Sequence, residues 1–201
     1  MRIGIYGGTF NPPHVGHLIC AQEALIALEL DRVTFIPAGT PPHKEVPEDP
    51  GAEHRLNMCA AAVADDERFE VSDLEVVRGG TSYTVDTLEE LRSSTPDNEL
   101  FLILGGDIAA GLPRWHQPER VLSLATPALA GRRGTPSAEV EAAMASLPGG
   151  ERAVCFDMPT VAISSTLIRD RAAAGESIRY LVPDKVAGYI ADHNLYRRVR
   201  A

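Results

Sequence analysis

A doubly wound α/β fold, with one parallel sheet and helices on both faces, is what this sequence of 201 residues predicts. Three observations carry that expectation. The chain opens as strand, helix and strand between Arg2 and Ile36, the size of a parallel crossover unit. Strand-like and helix-like segments then alternate to the C-terminus, the pattern of a sheet covered on both faces. Two apolar runs end on paired glycines, Gly7-Gly8 and Gly105-Gly106, where a strand would leave the sheet.

In order, Arg2 to Tyr6 reads as the first strand. Leu18, Ala21, Leu25 and Leu28 recur at helical spacing between Val15 and Leu30. Val33 to Ile36 is β-rich and stops at Pro37. Ala38 to Gly51, with prolines at 41, 42, 47 and 50, reads as a structured surface loop. Ala52 to Val63 is expected as helix, Phe69 to Val77 as strand, Val85 to Leu91 as helix and Leu100 to Leu104 as a buried strand. Thr126 to Ala130 and Ala153 to Phe156 read as strands around a helix from Ala138 to Leu147. Helices at Thr166 to Ala174 and Pro183 to His193 close the chain, the second opened by its proline. The whole of 1–201 is expected to be one domain, its helical segment from about 165 completing the site.

Composition narrows the function classes. A formal charge of −9 argues against a protein that lives on nucleic acid, whose footprint is a basic stripe. No apolar run approaches the ~20 residues of a membrane span, and Met1 to Tyr6 lacks a secretory pattern. Cys20, Cys59 and Cys155 are odd in number and widely spaced, so no disulfide framework is indicated. The expectation is a cytoplasmic protein with no membrane and no nucleic-acid partner. An acidic protein that binds an anion must gather its few cations in one place.

The stretch Gly7-Gly8-Thr9-Phe10-Asn11-Pro12-Pro13-His14-Val15-Gly16-His17 follows the first strand and opens the first helix. Glycines allow close backbone approach, and the helix N-terminus behind them favours negative charge. Read from residues alone, it also fits a strand-exit turn, and His14, His17 and Cys20 have the spacing of a metal-binding face without a second ligand cluster. A second stretch, Ile163-Ser164-Ser165-Thr166-Leu167-Ile168-Arg169, places hydroxyls before a helix and a guanidinium one turn in. It fits helix capping, and equally phosphate binding.

The first stretch resembles the G-x-F-D-P-x-H-x-G-H motif of the nucleotidyltransferase superfamily, and the second its I-S-S-T-x-I-R motif. The superfamily fold is Rossmann-like. Further segments are similar to the bacterial nicotinate mononucleotide adenylyltransferases: Pro41-Pro42-His43-Lys44, Ser82-Tyr83-Thr84, Leu104-Gly105-Gly106-Asp107, Pro113-Arg114-Trp115-His116, Ser177 to Pro183 and Asn194-Leu195-Tyr196. The sequence departs at Asn11, where that pattern has aspartate, and at Gly134, where it has proline.

That resemblance implies adenylyl transfer from ATP to nicotinate mononucleotide, giving nicotinate adenine dinucleotide and pyrophosphate for NAD biosynthesis. It implies catalytic roles for His14, His17, Lys44 and Arg169, and ATP contacts from Gly7, Gly8, Thr9, Phe10, Gly105, Asp107, Arg133, Ile163, Ser164, Ser165 and Thr166. Tyr83, Thr84, Trp115 and His116 are expected at the mononucleotide, with Trp115 stacked on the pyridine ring. Mg²⁺ is expected with ATP, held by the triphosphate and water with no protein metal ligand. The partners are the two nucleotides, and a homo-oligomer is left open. Two alternatives stand beside this reading: another adenylyltransferase of the superfamily, such as one acting on phosphopantetheine, and a nucleotide-binding sensor without turnover.

Overall fold

A computed structural model describes residues 1–42, 48–131 and 137–197. Six strands form one wholly parallel sheet: β1 (Arg2–Gly8), β2 (Arg32–Pro37), β3 (Phe69–Val71), β4 (Glu99–Gly105), β5 (Thr126–Gly131) and β6 (Val154–Asp157). Their order is β3-β2-β1-β4-β5-β6. The described helices are α1 (Val15–Ala27), α2 (Ala52–Val63), α3 (Leu74–Arg78), α4 (Thr84–Ser94), α5 (Gly106–Ala110), α6 (Pro118–Leu124), α7 (Ala138–Ala145), α8 (Ser165–Ala174) and α9 (Asp184–Asp192). This is the doubly wound, Rossmann-like arrangement that the alternation predicts.

Strand alternation divides the core between two faces. Leu100, Leu102 and Leu104 of β4 pack with Val85, Leu88, Val121 and Leu122. Phe101 and Ile103 of the same strand pack with Ala21, Ala24 and Leu25 of α1 and Cys59 of α2. A strand that feeds two apolar layers must be apolar throughout, hence the unbroken run in β4. A third cluster joins Met58 of α2 to Ile168 of α8, Val186 and Ile190 of α9, and Leu195. It seats the C-terminal helices on the sheet's helical cover.

Two expectations need correction. The strand expected over 69–77 ends at Val71, and Leu74–Arg78 is helical. Val76 and Val77 suggested a strand, but Val77 is 75% exposed while Glu75 is buried, the reverse of a half-buried strand's pattern. Helices α5 and α6 were not expected. The start signal of α6 was present in Pro118 at its first position.

Candidate active site

The strand order reverses direction between β1 and β4, where ligands sit in folds of this kind. Here the sheet also parts. Pairing of β1 with β4 stops at Ile5 and Leu102, although the strands run on to Gly8 and Gly105. Each strand keeps its outer neighbour to the end, Gly8 beside Pro37 and Gly105 beside Ala130. A crevice opens between two glycine ends, Gly7-Gly8 on one side and Gly105 on the other. Neither Gly7 nor Gly105 has any atom within 4 Å of where a Cβ would stand.

Beyond Gly8 the loop turns back under itself. Phe10 adopts φ 50°, the left-handed region, and is buried. Its ring lies 5.5 Å from Tyr6, 5.6 Å from Phe35 and 5.0 Å from His17. The side chain is spent on packing, so Thr9 and Phe10 can offer a ligand chiefly their backbone.

His14 caps α1 with extended backbone, and His17 sits in the first turn. Their rings stack at 3.7 Å with 25° between planes. The His14 N–H donates to His17 Nδ1 at 3.1 Å. His17 therefore carries its ring proton on Nε2, and that N–H is left for another acceptor. Burial lowers the His14 pKa to about 4. Burial, with the neighbouring His14, lowers that of His17 to about 3. Both rings are therefore neutral at pH 7. The pair is a set of hydrogen-bond donors, not a pair of standing cations. Cys20 is buried, and burial pushes its thiol pKa up to about 11.

The second motif meets the first. Ser165 Oγ donates to Pro12 O at 2.9 Å across 153 residues of sequence. Arg169 Nη1 donates to Asn11 O at 2.9 Å. From further along the chain, Tyr196 OH donates to Asn11 Oδ1 at 2.5 Å, and Val15 N–H to Leu181 O at 3.1 Å. The capping and binding readings divide within one motif. Ser164 is the cap of α8, accepting from Leu167 N–H at 3.2 Å, while Ser165 reaches the loop. Thr166 Oγ1 accepts from Arg169 Nη2 at 3.4 Å, and Ile163 packs on the C-terminal cluster. Arg169 faces Glu48 at 3.6 Å. Among the described residues, the buried side-chain nitrogens and oxygens without a hydrogen-bond partner are Asn11 Nδ2, His14 Nδ1 and Arg169 Nε. All three belong to these two motifs. Unmade bonds on buried polar atoms are costly, so their restriction to these two motifs marks the motifs as a candidate site.

The other half of the crevice is more open. Asp107 is exposed in the first turn of α5, whose cap is Gly105. Tyr83 precedes α4 and makes no side-chain cap bond, leaving the first N–H groups from Thr84 onward without side-chain partners at that end. The Tyr83 and His116 rings lie 4.5 Å apart. Trp115 is half-buried, one side packed on the core. Lys44 and Arg133, expected at the triphosphate, lie outside the described residues.

Sequence reasoning missed Arg55. It is 1% exposed on α2, donating to Thr9 O at 3.1 Å, Gly39 O at 2.9 Å, Asp49 Oδ1 at 3.0 Å and Ala38 O. One guanidinium thereby ties the exits of β1 and β2 together, a use suited to its planar fork. The signal was available: Arg55 stands in the apolar stripe of its helix with Met58, Cys59 and Val63. An arginine on a buried stripe must find acceptors there.

A parallel sheet parted at its switch point, with two distant motifs hydrogen-bonded to each other, is the setting in which folds of this kind bind ligands. The family model for cytidylyltransferase-like proteins matches residues 5–171. A protein of Shouchella clausii named "probable nicotinate-nucleotide adenylyltransferase" is 44% identical over 195 residues, covering 97% of this chain and 96% of its own. One of the same name from Synechococcus is 45% identical over 197 residues, covering 97% and 94%. Among solved structures, Plasmodium falciparum nicotinic acid mononucleotide adenylyltransferase complexed with NaAD aligns with a TM-score of 0.76. It covers 97% of both chains at 19% identity, a likeness of fold. At the identity and coverage of the first two relatives, the chain belongs to the nicotinate-nucleotide adenylyltransferases of the cytidylyltransferase-like family.

Proposed function

We propose that this chain transfers the adenylyl group of ATP to nicotinate mononucleotide, releasing pyrophosphate and forming nicotinate adenine dinucleotide for NAD biosynthesis. The observation that carries this reading is the meeting of two distant motifs. Ser165 and Arg169 bond to Pro12 and Asn11, and the described buried side-chain nitrogens that lack a hydrogen-bond partner all belong to these two motifs. Full-length relatives that bear the enzyme's name support the choice of substrates.

The nucleophile needs no protein base. The mononucleotide's phosphate has a second pKa of ~6 and is mostly dianionic at neutral pH. One of its oxygens attacks the α-phosphorus of ATP in line. The bond from that phosphorus to the bridging oxygen breaks, and pyrophosphate leaves with the electron pair. The protein's task is alignment and stabilisation of the charge spreading over the phosphoryl oxygens. In this reading His17 Nε2–H and His14 donate to ATP phosphates. Arg169 supplies fixed positive charge, and Lys44 and Arg133 would add more. Gly7, Gly8, Thr9 and Phe10 line the phosphates through their backbone, with Ile163, Ser164, Ser165 and Thr166 on the opposite wall. Gly105 and Asp107 face the adenosine ribose. Tyr83, Thr84, Trp115 and His116 form the pyridine pocket, and the segment from about 165 completes the site.

The described donors at the phosphates are nitrogens and hydroxyls, which suit anionic oxygens, so Mg²⁺ brought with ATP would be held by the triphosphate and water and would supply further neutralising charge. Among the described residues, no helix is long and apolar enough to cross a membrane; the reaction is placed in the cytoplasm as part of the same proposal.

A substrate panel tests the reading. Pyrophosphate release should require ATP together with nicotinate or nicotinamide mononucleotide, and phosphopantetheine should give none. Turnover with phosphopantetheine would move the chain to the other adenylyltransferases. ATP binding without release for any acceptor would make it a sensor.

A further inference from the structure

A buried hydrogen-bond network lies behind the pyridine pocket and touches no proposed ligand. The Gly39 N–H, at the exit of β2, donates to Ser82 Oγ at 2.9 Å. The Ser82 hydroxyl also stands beside the carboxylate of Glu75 on α3, where it favours the charged form. Thr87, one turn into α4, donates to Glu75 Oε1 at 2.6 Å, and Arg78 Nη2 donates to Thr87 Oγ1 at 3.0 Å. Ser82, Glu75 and Thr87 are all buried. Burial pushes the Glu75 pKa up, while Thr87, Ser82, Arg78 and Arg55 oppose the shift.

Two further contacts fix where the network stands. The Ser82 N–H donates to Thr40 O at 2.9 Å. A Cβ on residue 39 would lie 2.5 Å from the backbone oxygen of Glu75, so only glycine lets these segments approach. Gly39 O is also one of the Arg55 acceptors, so the network continues through that guanidinium to Thr9 in the phosphate loop. The start of α4 is thus set against the β2 exit and the phosphate loop by side chains that meet no solvent.

We propose that Ser82, Glu75 and Thr87 are positioning residues for mononucleotide selectivity, holding the first N–H groups of α4 where they distinguish a pyridine carboxylate from a carboxamide. The proposal rests on the substrate reading given above. An anionic carboxylate accepts from every donor it meets, whereas an amide presents one acceptor and two donors. Discrimination of that kind depends on the angle and distance of backbone donors, and small displacements lose large factors.

The test is the ratio of kcat/KM for nicotinate over nicotinamide mononucleotide, measured with pyrophosphate release in the unaltered protein, Ser82→Ala, Thr87→Val and Thr87→Ser. Ser82→Ala and Thr87→Val each remove one link, and each should lower the ratio at least ~10-fold, within the range expected from a misplaced contact. Thr87→Ser keeps the hydroxyl and should keep the ratio. A role in folding alone would lower Tm and both kcat/KM values together. Ratios within twofold of the unaltered protein in both link-breaking variants would overturn the proposal while leaving the substrate reading intact. Failure of the unaltered protein to turn over either mononucleotide would overturn the substrate reading, and this inference with it.

Discussion

The two halves of the crevice are built in opposite ways. Around the phosphate loop, side chains cross the whole length of the chain: Ser165 to Pro12, Arg169 to Asn11, Tyr196 to Asn11. Around α4 the ligand-facing part is backbone and ring edges, with Tyr83 and His116 in contact and Trp115 half-buried. Its fixed geometry comes from Glu75, Ser82 and Thr87 in a layer behind. The difference suits what each half must do. Stabilising a transition state calls for charge and donors aimed at one phosphoryl group. Telling two nearly isosteric rings apart calls for donors whose position does not yield.

Breaking the phosphate half should cost rate. Loss of one donor to a transition state lowers kcat by ~10²–10³. Single-turnover kinetics of His17→Ala should show that loss with the folding midpoint little changed. A near-unaltered rate would confine His17 to capping α1.

The same half should also show in the acid stability of the empty protein. The folded-state pKa values of His14 and His17, about 4 and about 3, lie below the ~6.5 of an unfolded chain. Below pH ~6.5 the unfolded state therefore binds more protons, and stability falls as pH drops toward 4. The loss near pH 4.5 is about 2 kcal/mol per imidazole. Urea midpoints across that window should fall less steeply in the His14→Ala, His17→Ala double variant. They should fall less steeply too with saturating ATP, whose charge favours protonated rings. Equal slopes would contradict the buried neutral pair.

The smallest effect belongs to the pyridine half. Trp115→Ala should raise KM for the mononucleotide about tenfold, the loss of ~1.4 kcal/mol expected of one aromatic contact. KM for ATP should hardly move. An unchanged mononucleotide KM would give the whole ring to the core.

What the sequence revealed follows the same division. The two motifs that meet in the structure could be picked out because they are side chains at motif spacing: the His14 and His17 pair and the run from Ile163 to Arg169. Even there the tautomer of His17 could not be, since it depends on a bond from the His14 backbone. Strand runs such as Leu100 to Leu104 declared themselves because burial on both faces demands unbroken apolarity. The region from Phe69 to Arg78 did not, because Val76 and Val77 carry β propensity while tertiary contacts bury Glu75. The place of Arg55 in the apolar stripe of α2 could be read from the sequence, but its partners could not. Its acceptors are carbonyls of Thr9, Ala38 and Gly39, and a backbone carbonyl leaves no mark in the residue string.

That His14–His17 and Ser164–Arg169 act as one anion site is the claim on which the rest depends. A double-mutant cycle on kcat/KM tests it most directly, with His17→Ala, Arg169→Ala and both together, for ATP and nicotinate mononucleotide. Residues that serve one transition state are strongly non-additive, so the double variant should lose far less than the product of the single losses. Additivity within ~0.5 kcal/mol would mean that the two motifs act independently, and would contradict this account.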